Sequence, residues 1–305
     1  MASFTTRIKD EMTRIETNKL ESMSEVSAYL KSNAKFSNDA IIITFENSGV
    51  ARRIFILLKK IYGINIKLTI RTQKKFTVKT IYILEIHEKI DIISSDINNT
   101  YNNILEYSDE ERTGYVRGLF LASGSINDPS KSKYHLEFLV NEEELAQLIV
   151  NILSTFDFKA KLLKRDKGYM VYIKSSEEIS DFIKLLGTVE ALFYYEDIRI
   201  YRDHKNMVNR LNNCEQANVE KSMKTCREQI ENIEYLQEHD LVVLLDDKTK
   251  LVTEYRTKYP ETSMSELAEI ISLETDYNIT KSGINHHFRK IKELVTRAKE
   301  QEANK

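Results

Sequence analysis

The segment "TKSGINHHFRKI" (280–291) carries several polar side chains in a stretch that favours a helix. Four of them can form hydrogen bonds with the edges of DNA bases: Ser282, Asn285, His286 and Arg289. Arg and Asn can each bind a base through two hydrogen bonds at once. Three lysines stand beside them, and ammonium groups favour phosphates: Lys281, Lys290 and Lys292. We therefore expect this segment to bind double-stranded DNA.

Two helices are needed to hold that surface. The stretch "TSMSELAEII" has Ser263 and Glu266 at the spacing of a capping box, which predicts a helix start. Thr280 is predicted to cap a second helix, whose apolar residues recur at helical spacing: Ile284, Phe288, Ile291 and Val295. The stretch 281–292 has four Lys or Arg residues and no acid. This charge pattern predicts a helix-turn-helix whose second helix enters the major groove.

Two alternatives stay open for this region. A solvated amphipathic helix with no ligand would show the same periodicity. The segment "SLETDYNI" (272–279) between the two helices is longer than the tight turn usual in this motif. It could tilt the second helix or add a contact of its own.

The first 200 residues contain an internal repeat of about ninety residues. In "ERTGYVRGLFLASGSIND" (111–128), small residues recur every four positions on one helix face: Gly114, Gly118 and Ala122. Ninety positions earlier stand Ser24, Ala28 and Ser32. Two helices with such small residues can pack closely. Similar strands and helices follow each copy, so the predicted unit is helix-strand-strand-helix-strand-strand-helix.

The strand predicted in each copy alternates apolar and polar residues, which is typical of a sheet covered on one face. Its apolar positions are Ile64, Ile66 and Leu68 in the first copy and Phe158, Ala160 and Leu162 in the second. Cationic and polar residues project from the same strands and their neighbours: Lys67, Thr69, Arg71 and Lys79, with Lys159, Lys161 and Arg165. The face opposite the helices could therefore be cationic, although exposed lysines at a sheet edge also prevent aggregation without any ligand. Weak DNA contact and docking of a protein partner both stay open.

The duplicated unit resembles the LAGLIDADG homing-endonuclease fold, with "VRGLFLASG" (116–124) in place of the signature. That resemblance implies two helices at a pseudo-twofold axis, each with an acid before its last glycine that holds a divalent metal for DNA cleavage. The matching positions here are Ser123 and Asn33. Neither is a carboxylate, so we predict no nuclease activity and assign no catalytic residue. Asp128 and Asp39 follow the two motifs, and Asp128 lies in a turn signature rather than a metal site.

More specifically, "YVRGLFLASGSINDPSKSKYHLEF" (115–138) resembles the WhiA family of bacterial regulators. Three further stretches carry the same resemblance: "SFTTRIKDEM" (3–12), "NRLNNCEQAN" (209–218) and "TKSGINHHFRKI". The resemblance implies an α+β protein with a duplicated αββαββα LAGLIDADG-like N-terminal domain, a helical linker and an all-α helix-turn-helix C-terminal domain. It also implies a transcription regulator linked to cell division and chromosome segregation.

These arguments divide the chain into three parts. Residues 1–205 form the degenerate LAGLIDADG-like domain, with repeats at about 1–95 and 96–197. Residues 206–221 are the helical linker, and residues 222–305 are the helix-turn-helix domain. The start of the connecting stretch is basic, and we favour a solvated helix over a phosphate contact for its cations: Arg199, Arg202, Lys205 and Arg210.

Composition narrows the remaining classes of function. With 41% hydrophobic and 30% charged residues, the chain is expected to be ordered and globular. A net charge of −2 neither favours nor excludes DNA binding. Cys214 and Cys226 are expected to be reduced thiols, and the six histidines show no metal spacing. We expect no metal, cofactor, small-molecule substrate or membrane span, and a cytoplasmic, nucleoid-associated protein. Two other functions remain open, a divergent LAGLIDADG endonuclease or maturase and a scaffold that binds DNA without sequence preference.

Overall fold

The computed structural model describes residues 3–73 and 79–303. The chain divides into two compact units, Met1–Asp203 and His204–Lys305. Elements of the first unit alternate between helices and short strands, and those of the second unit are helical. The predicted α+β class is therefore confirmed. The boundaries predicted at residues 205 and 221 stay predictions.

The first unit starts with helix α1 (Phe4–Met12) and then repeats one series of elements. The first copy comprises α2 (Lys19–Asn33), β1 (Ala34–Phe36), β2 (Ile41–Phe45), α3 (Ser48–Tyr62), β3 (Ile66–Gln73), β4 (Lys79–Ile86) and α4 (Ile90–Asn103). The second copy comprises α5 (Asp109–Ser123), β5 (Gly124–Ile126), β6 (Leu136–Val140), α6 (Glu143–Ser154), β7 (Lys161–Arg165), β8 (Gly168–Ile173) and α7 (Ser176–Leu186). Both copies thus have the predicted αββαββα order.

Each copy forms one antiparallel four-stranded sheet, and the two sheets have the same connectivity. The strand orders are β1-β2-β4-β3 and β5-β6-β8-β7. The first two strands of each sheet pair in the same way, with Phe36 opposite Ile41 in the first sheet and Ile126 opposite Leu136 in the second. Equal topology in two successive segments is the signature of an internal duplication.

The small residues of α2 and α5 allow the two helix backbones to touch. A Cβ atom on Gly114 would lie 2.5 Å from the carbonyl oxygen of Glu21, and one on Gly118 would lie 2.2 Å from that of Glu25. Neither distance is compatible with a side chain, so both positions require glycine. Ala28 faces Gly118 from the opposite helix. The small-residue pattern seen in the sequence is therefore the packing surface of the helix pair.

A buried ion pair ties α2 to α3. Glu25 accepts hydrogen bonds from Nε and Nη2 of Arg53, the second at 2.7 Å, and the exposed fractions of the two side chains are 0% and 6%. The other Arg53 nitrogen, Nη1, donates to the carbonyl oxygen of Ile15 at 2.8 Å. Because all of these groups have partners, the charges are tolerated in the core.

The predicted alternation fails at one of its six apolar positions. Ile64 and Phe158 are buried, and both lie just before their strands. Leu68 is 51% exposed, contrary to the prediction that it is covered. It lies on β3, an edge strand of its sheet. The corresponding Leu162 of the second copy lies on the equivalent edge strand β7 and is half-buried, so edge position alone does not account for the exposure of Leu68.

The second unit is a small helical domain. Helix α8 (Val189–Glu238) begins in the first unit and ends in the second, and three more helices follow: α9 (Asp247–Lys258), α10 (Met264–Glu274) and α11 (Lys281–Ala303). Every residue from 203 to 221 of α8 is exposed. Apolar side chains from the end of α8, from α9, α10 and α11 form one core: Ile233, Leu236, Val252, Leu267, Ile271, Ile284, Phe288, Ile291 and Val295.

Candidate nucleic-acid interface

Local sequence signals define where α10 and α11 start. Ser263 Oγ accepts a hydrogen bond from the Glu266 N–H at 3.2 Å, and the Glu266 carboxylate accepts one from the Ser263 N–H at 2.8 Å. This is the capping box expected from the sequence. At α11, the Thr280 hydroxyl accepts a hydrogen bond from the Gly283 N–H at 3.3 Å, as a helix cap does.

Helix α11 has one buried face and one exposed face. The buried face contains the four apolar residues that the periodicity predicts and also His287, which is 6% exposed. All seven side chains predicted to contact DNA are exposed: Lys281, Ser282, Asn285, His286, Arg289, Lys290 and Lys292. The structure thus brings them together on the first three turns of one helix. Their individual contacts with DNA stay predictions.

Lys290 has a partner within the protein, which the sequence did not suggest. Its ammonium group lies 3.2 Å from Oδ2 of Asp246, the residue that caps α9. The pKa of Asp246 is lowered to about 2, first by hydrogen bonds from the side chain and backbone of Thr249 and then by Lys290. Lys290 is 48% exposed and so keeps one side toward solvent.

The segment between α10 and α11 is residues 275–280 rather than 272–279, because residues 272–274 form the end of α10. This segment folds back on α10. Ser272 Oγ accepts a hydrogen bond from the Ile279 N–H at 3.0 Å and lies 3.2 Å from the Ile279 carbonyl oxygen. Within the segment, Tyr277 is half-buried and its hydroxyl lies 3.1 Å from Nε2 of His287. The sequence indicated an unusual turn length, but nothing in it paired these two aromatic side chains.

The ends of α2 and α5 are the place where the resemblance located metal ligands. Asn33 donates a hydrogen bond from Nδ2 to the carbonyl oxygen of Ala122 at 3.2 Å. Ser123 Oγ donates to the carbonyl oxygen of Leu119 at 3.2 Å. Asn33 therefore satisfies a carbonyl group in the last turn of α5 that otherwise lacks an intrahelical partner, and Ser123 bonds back to a carbonyl group of its own helix.

A lysine from α1 also caps this helix end. Lys9 Nζ donates to the carbonyl oxygen of Leu121 at 3.0 Å and lies 5.6 Å from the centre of the Phe120 ring. Burial lowers the pKa of Lys9 to about 8. A positive charge at a helix C-terminus is favourable. Among the residues that the structure describes, no cluster of three or more His, Cys, Asp or Glu side chains could hold a metal ion.

Asp128 has the turn role predicted from the sequence. Its Oδ1 accepts hydrogen bonds from the Ser130 N–H at 2.9 Å and the Ser130 hydroxyl at 2.7 Å, and Tyr194 donates to it at 3.2 Å. Burial opposes ionisation of this carboxyl, but the hydrogen bonds from Ser130 and Tyr194 lower its pKa.

The outer faces of the sheets mix charges with apolar groups. Lys67 pairs with Glu85 at 2.7 Å, and Arg71 is exposed. In the second sheet, Leu139 and Leu163 are 46% and 47% exposed, and both lie opposite Met170. Exposed cations also occur there: Lys159, Lys161 and Arg165. The side chain of Lys79 lies outside the described residues.

Of the four cations predicted to lie on a solvated helix, Lys205 and Arg210 are exposed, but Arg199 and Arg202 are partly buried within the first unit. Arg199 pairs with Glu196 at 2.8 Å. Arg202 donates to the carbonyl oxygen of Ser132 at 3.0 Å and lies 5.3 Å from the centre of the Tyr134 ring. These contacts favour a structural role over the phosphate contact that was left open.

Two further sequence predictions concern thiols and membranes. Both cysteines are free thiols, Cys214 exposed and Cys226 buried. In the described part of the chain, none of the helices has the length and apolar character required to cross a membrane.

Three family models match successive parts of the chain. They are the WhiA N-terminal LAGLIDADG-like domain at residues 19–98, the WhiA LAGLIDADG-like domain at 112–205 and the WhiA C-terminal HTH domain at 208–295. Two curated relatives carry the name probable cell division protein WhiA. The one from Bacillus cytotoxicus is 38% identical, the one from Staphylococcus aureus is 35% identical, and each match covers 96% of both chains.

Two solved structures share the fold. Full-length DUF199/WhiA from Thermatoga maritima is 24% identical, with a TM-score of 0.59 over 97% of this chain and 99% of that one. The N-terminal LAGLIDADG domain of DUF199/WhiA is 23% identical, with a TM-score of 0.50 over 61% of this chain and 94% of that one. Both likenesses support the fold of the duplicated N-terminal unit, and the full-length structure also covers the C-terminal helices.

Proposed function

Because this chain belongs to the WhiA family, we propose that it is a DNA-binding transcription regulator linked to cell division and chromosome segregation. The observation that carries this proposal is the exposed face of α11 in a WhiA-type helix-turn-helix domain. Four hydrogen-bonding side chains and three lysines occupy that face. The relatives named as cell division proteins supply the biological context.

We assign the base contacts to four residues and the phosphate contacts to the lysines. Ser282, Asn285, His286 and Arg289 have side chains that can read base edges, and a good bidentate contact contributes roughly 1–3 kcal/mol of discrimination. Lys281 and Lys292 position the helix on the phosphate backbone. Lys290 contributes less than they do, because Asp246 already neutralises part of its charge.

We infer that the duplicated unit does not cleave DNA. At the two positions that would present metal-binding carboxylates stand Asn33 and Ser123, and both are hydrogen-bonded to backbone carbonyl groups. The ammonium group of Lys9 occupies the same helix end, where its charge repels a divalent cation. Hard cations require anionic oxygen ligands of the kind that this site lacks.

We also propose the extent of each part and its location in the cell. Residues 1–205 form the LAGLIDADG-like domain, residues 206–221 the linker and residues 222–305 the DNA-binding domain. The half-exposed Leu139 and Leu163 support a protein partner for the first of these parts, since DNA phosphates do not attract apolar groups. A regulator of chromosomal genes would be found in the cytoplasm on the nucleoid.

The test is selection of duplexes from a randomised DNA pool by the full chain, with Mg²⁺ present. We expect one enriched motif and intact DNA, and a tenfold or greater loss of preference in Arg289→Ala. Arg297→Ala is the matched control, because Arg297 is an exposed arginine two turns further along α11. Mg²⁺-dependent cutting would support the endonuclease alternative instead. Steep salt dependence without a preferred motif would support the nonspecific scaffold.

A further inference from the structure

His287 contacts two elements besides its own helix. Its Nδ1 lies 2.8 Å from the hydroxyl oxygen of Thr249, in the first turn of α9. Its Nε2 lies 3.1 Å from the hydroxyl oxygen of Tyr277, in the long segment before α11. Thr249 is 1% exposed and His287 is 6% exposed, so the contact between them is buried, and the contact with the half-buried Tyr277 is partly buried. One imidazole therefore joins α9, α11 and the segment between α10 and α11.

The neighbouring hydrogen bonds determine which nitrogen of His287 carries the proton. The Thr249 hydroxyl donates to Oδ1 of Asp246 at 2.8 Å. Its oxygen is then free to accept, so Nδ1 of His287 is the donor and Nε2 is the acceptor for Tyr277. Donation thus runs from Tyr277 through His287 and Thr249 to Asp246. Lys290 completes the series by donating to Oδ2 of Asp246 at 3.2 Å.

The charges around His287 favour its neutral form. Burial lowers the pKa of His287 below the ordinary value of 6.5, and the positive charges of Lys290, His286 and Lys248 lower it further. Asp246 opposes them. Lys248 lies 4.9 Å from the centre of the Tyr277 ring, so cations face the imidazole from both α9 and α11. At neutral pH the ring is uncharged and can accept from Tyr277.

Apolar contacts alone leave a helix some freedom to turn about its axis, because they have no preferred direction. Hydrogen bonds are directional and weaken steeply when bent. His287 lies in the same turn as Asn285, His286 and Arg289, on the opposite side of α11. A small rotation of α11 would break the bonds of His287 and would also move those three side chains.

We propose that His287 is a positioning residue: it holds α11 at one orientation against α9 and Tyr277, and so determines which base edges the exposed residues meet. This inference rests on the proposed function, since it concerns the same DNA-binding helix. It assigns the long segment between α10 and α11 a role in sequence preference, through Tyr277 rather than through a contact with DNA.

The test compares two duplexes, the motif enriched by the full chain and a shuffled duplex of the same composition. Tyr277→Phe removes one hydrogen bond of the series, and Thr249→Val removes two, those to His287 and Asp246. Both substitutions keep the shape of the side chain. We expect each to weaken binding of the enriched duplex about fivefold in fluorescence anisotropy at pH 7.5. Binding of the shuffled duplex should not change, because phosphate contacts tolerate small rotations.

Tyr259→Phe is the matched control for these variants. Tyr259 is also half-buried in the same domain, and its hydroxyl donates one hydrogen bond at 3.1 Å, to Glu274. If Tyr277 only stabilises the domain, both tyrosine variants will lose the same small amount of thermal stability. Each variant will then bind the enriched and the shuffled duplex with the affinities of the natural protein. That result would overturn the positioning role.

A pH series gives the second measurement. Because the pKa of His287 lies below the ordinary value of 6.5, the series runs from pH 7.5 to well below 6.5, where His287 becomes charged beside Lys248 and Lys290. The ratio of enriched to shuffled binding should fall more steeply in the natural protein than in His287→Asn, which keeps an N–H donor but does not titrate. Both proteins contain His286, so the difference reports His287.

The outcomes separate the two proposals. If Arg289→Ala reduces the preference but Tyr277→Phe, Thr249→Val and the pH series leave it unchanged, the positioning role is wrong and the proposed function stands. If the natural protein enriches no motif, both are wrong.

Discussion

The two units of this protein use polar side chains in opposite ways. At the ends of α2 and α5, Asn33, Ser123 and Lys9 turn toward backbone carbonyl groups, and their hydrogen-bonding capacity is used within the fold. On α11, polar side chains of similar chemistry point to solvent. A polar group whose bonds are already made inside the protein has little left to offer a ligand. The polar groups of the first surface are used within the fold, and those of the second remain available to a ligand.

The largest expected effect lies within the first unit. Glu25→Ala removes the carboxylate from a buried ion pair and leaves Arg53 without a compensating charge. We expect a loss of about 3–5 kcal/mol of unfolding free energy. Chemical denaturation measures it, with the exposed Glu106→Ala as control. A loss below 1 kcal/mol would mean that water reaches Arg53.

The next effect concerns DNA recognition by α11. Asn285→Ala should reduce discrimination between the enriched and shuffled duplexes by about 1–3 kcal/mol and leave thermal stability unchanged, because Asn285 is exposed. Lys292→Ala is the comparison variant. It should weaken both duplexes equally and lower the salt dependence of binding. Equal behaviour of the two variants would contradict the division into base and phosphate contacts.

A third prediction restores the acids that the first unit lacks. Asn33→Asp combined with Ser123→Asp adds two negative charges at helix C-termini, where each is unfavourable by about 0.3–1 kcal/mol. We expect lower stability, and no cleavage of plasmid DNA in Mg²⁺ because the ammonium group of Lys9 stays at the site. Adding Lys9→Met as a third substitution tests whether the ammonium group of Lys9 is what prevents cleavage. Cleavage by the double variant would show that only the two carboxylates were missing.

The smallest effect is expected at Asp246. Asn caps a helix as well as Asp does, so Asp246→Asn loses only the partly exposed pair with Lys290, which contributes less than about 1 kcal/mol. The pKa of Asp246 lies below that of an unfolded Asp, so its contribution to stability is full above pH 4. It should be lost as the pH falls toward 2 in the natural protein, and the variant should lack this loss.

Asp246→Asn also changes the charge of the proposed DNA-binding surface. Without the carboxylate, Lys290 is released toward DNA and one negative charge leaves the binding surface. Affinity for the shuffled duplex should therefore rise slightly, as measured by anisotropy at low salt. An unchanged affinity would place Lys290 outside the DNA contact.

Much of the molecule followed from local signals. The capping residues Ser263 and Glu266 and the periodic apolar residues of α11 predicted two helices, because caps and helical spacing act within a few residues. Gly114 and Gly118 predicted close helix packing for a similar reason, since only a small side chain permits backbones to touch. The duplicated series of elements was visible because each copy repeats the same pattern.

Other features could not be predicted from the sequence, and all for the same reason. The alternating pattern predicted that Leu68 is buried, yet it is 51% exposed, because burial depends on which elements pack against a strand. The pairing of Lys290 with Asp246 joins residues 44 positions apart. Long-range pairs of this kind are invisible to spacing arguments, because the separation along the chain does not set the distance in space.

Four features are properties of residue type and spacing: the repeat, the helix pair with its small residues, the absence of carboxylates at positions 33 and 123, and the polar composition of α11. Two others depend on how the helices pack. Lys9 and Asn33 cap α5, and one series of hydrogen bonds joins Tyr277, His287, Thr249 and Asp246. The reason is physical: a hydrogen bond requires a suitable distance and direction between donor and acceptor, and the packing of the helices sets both.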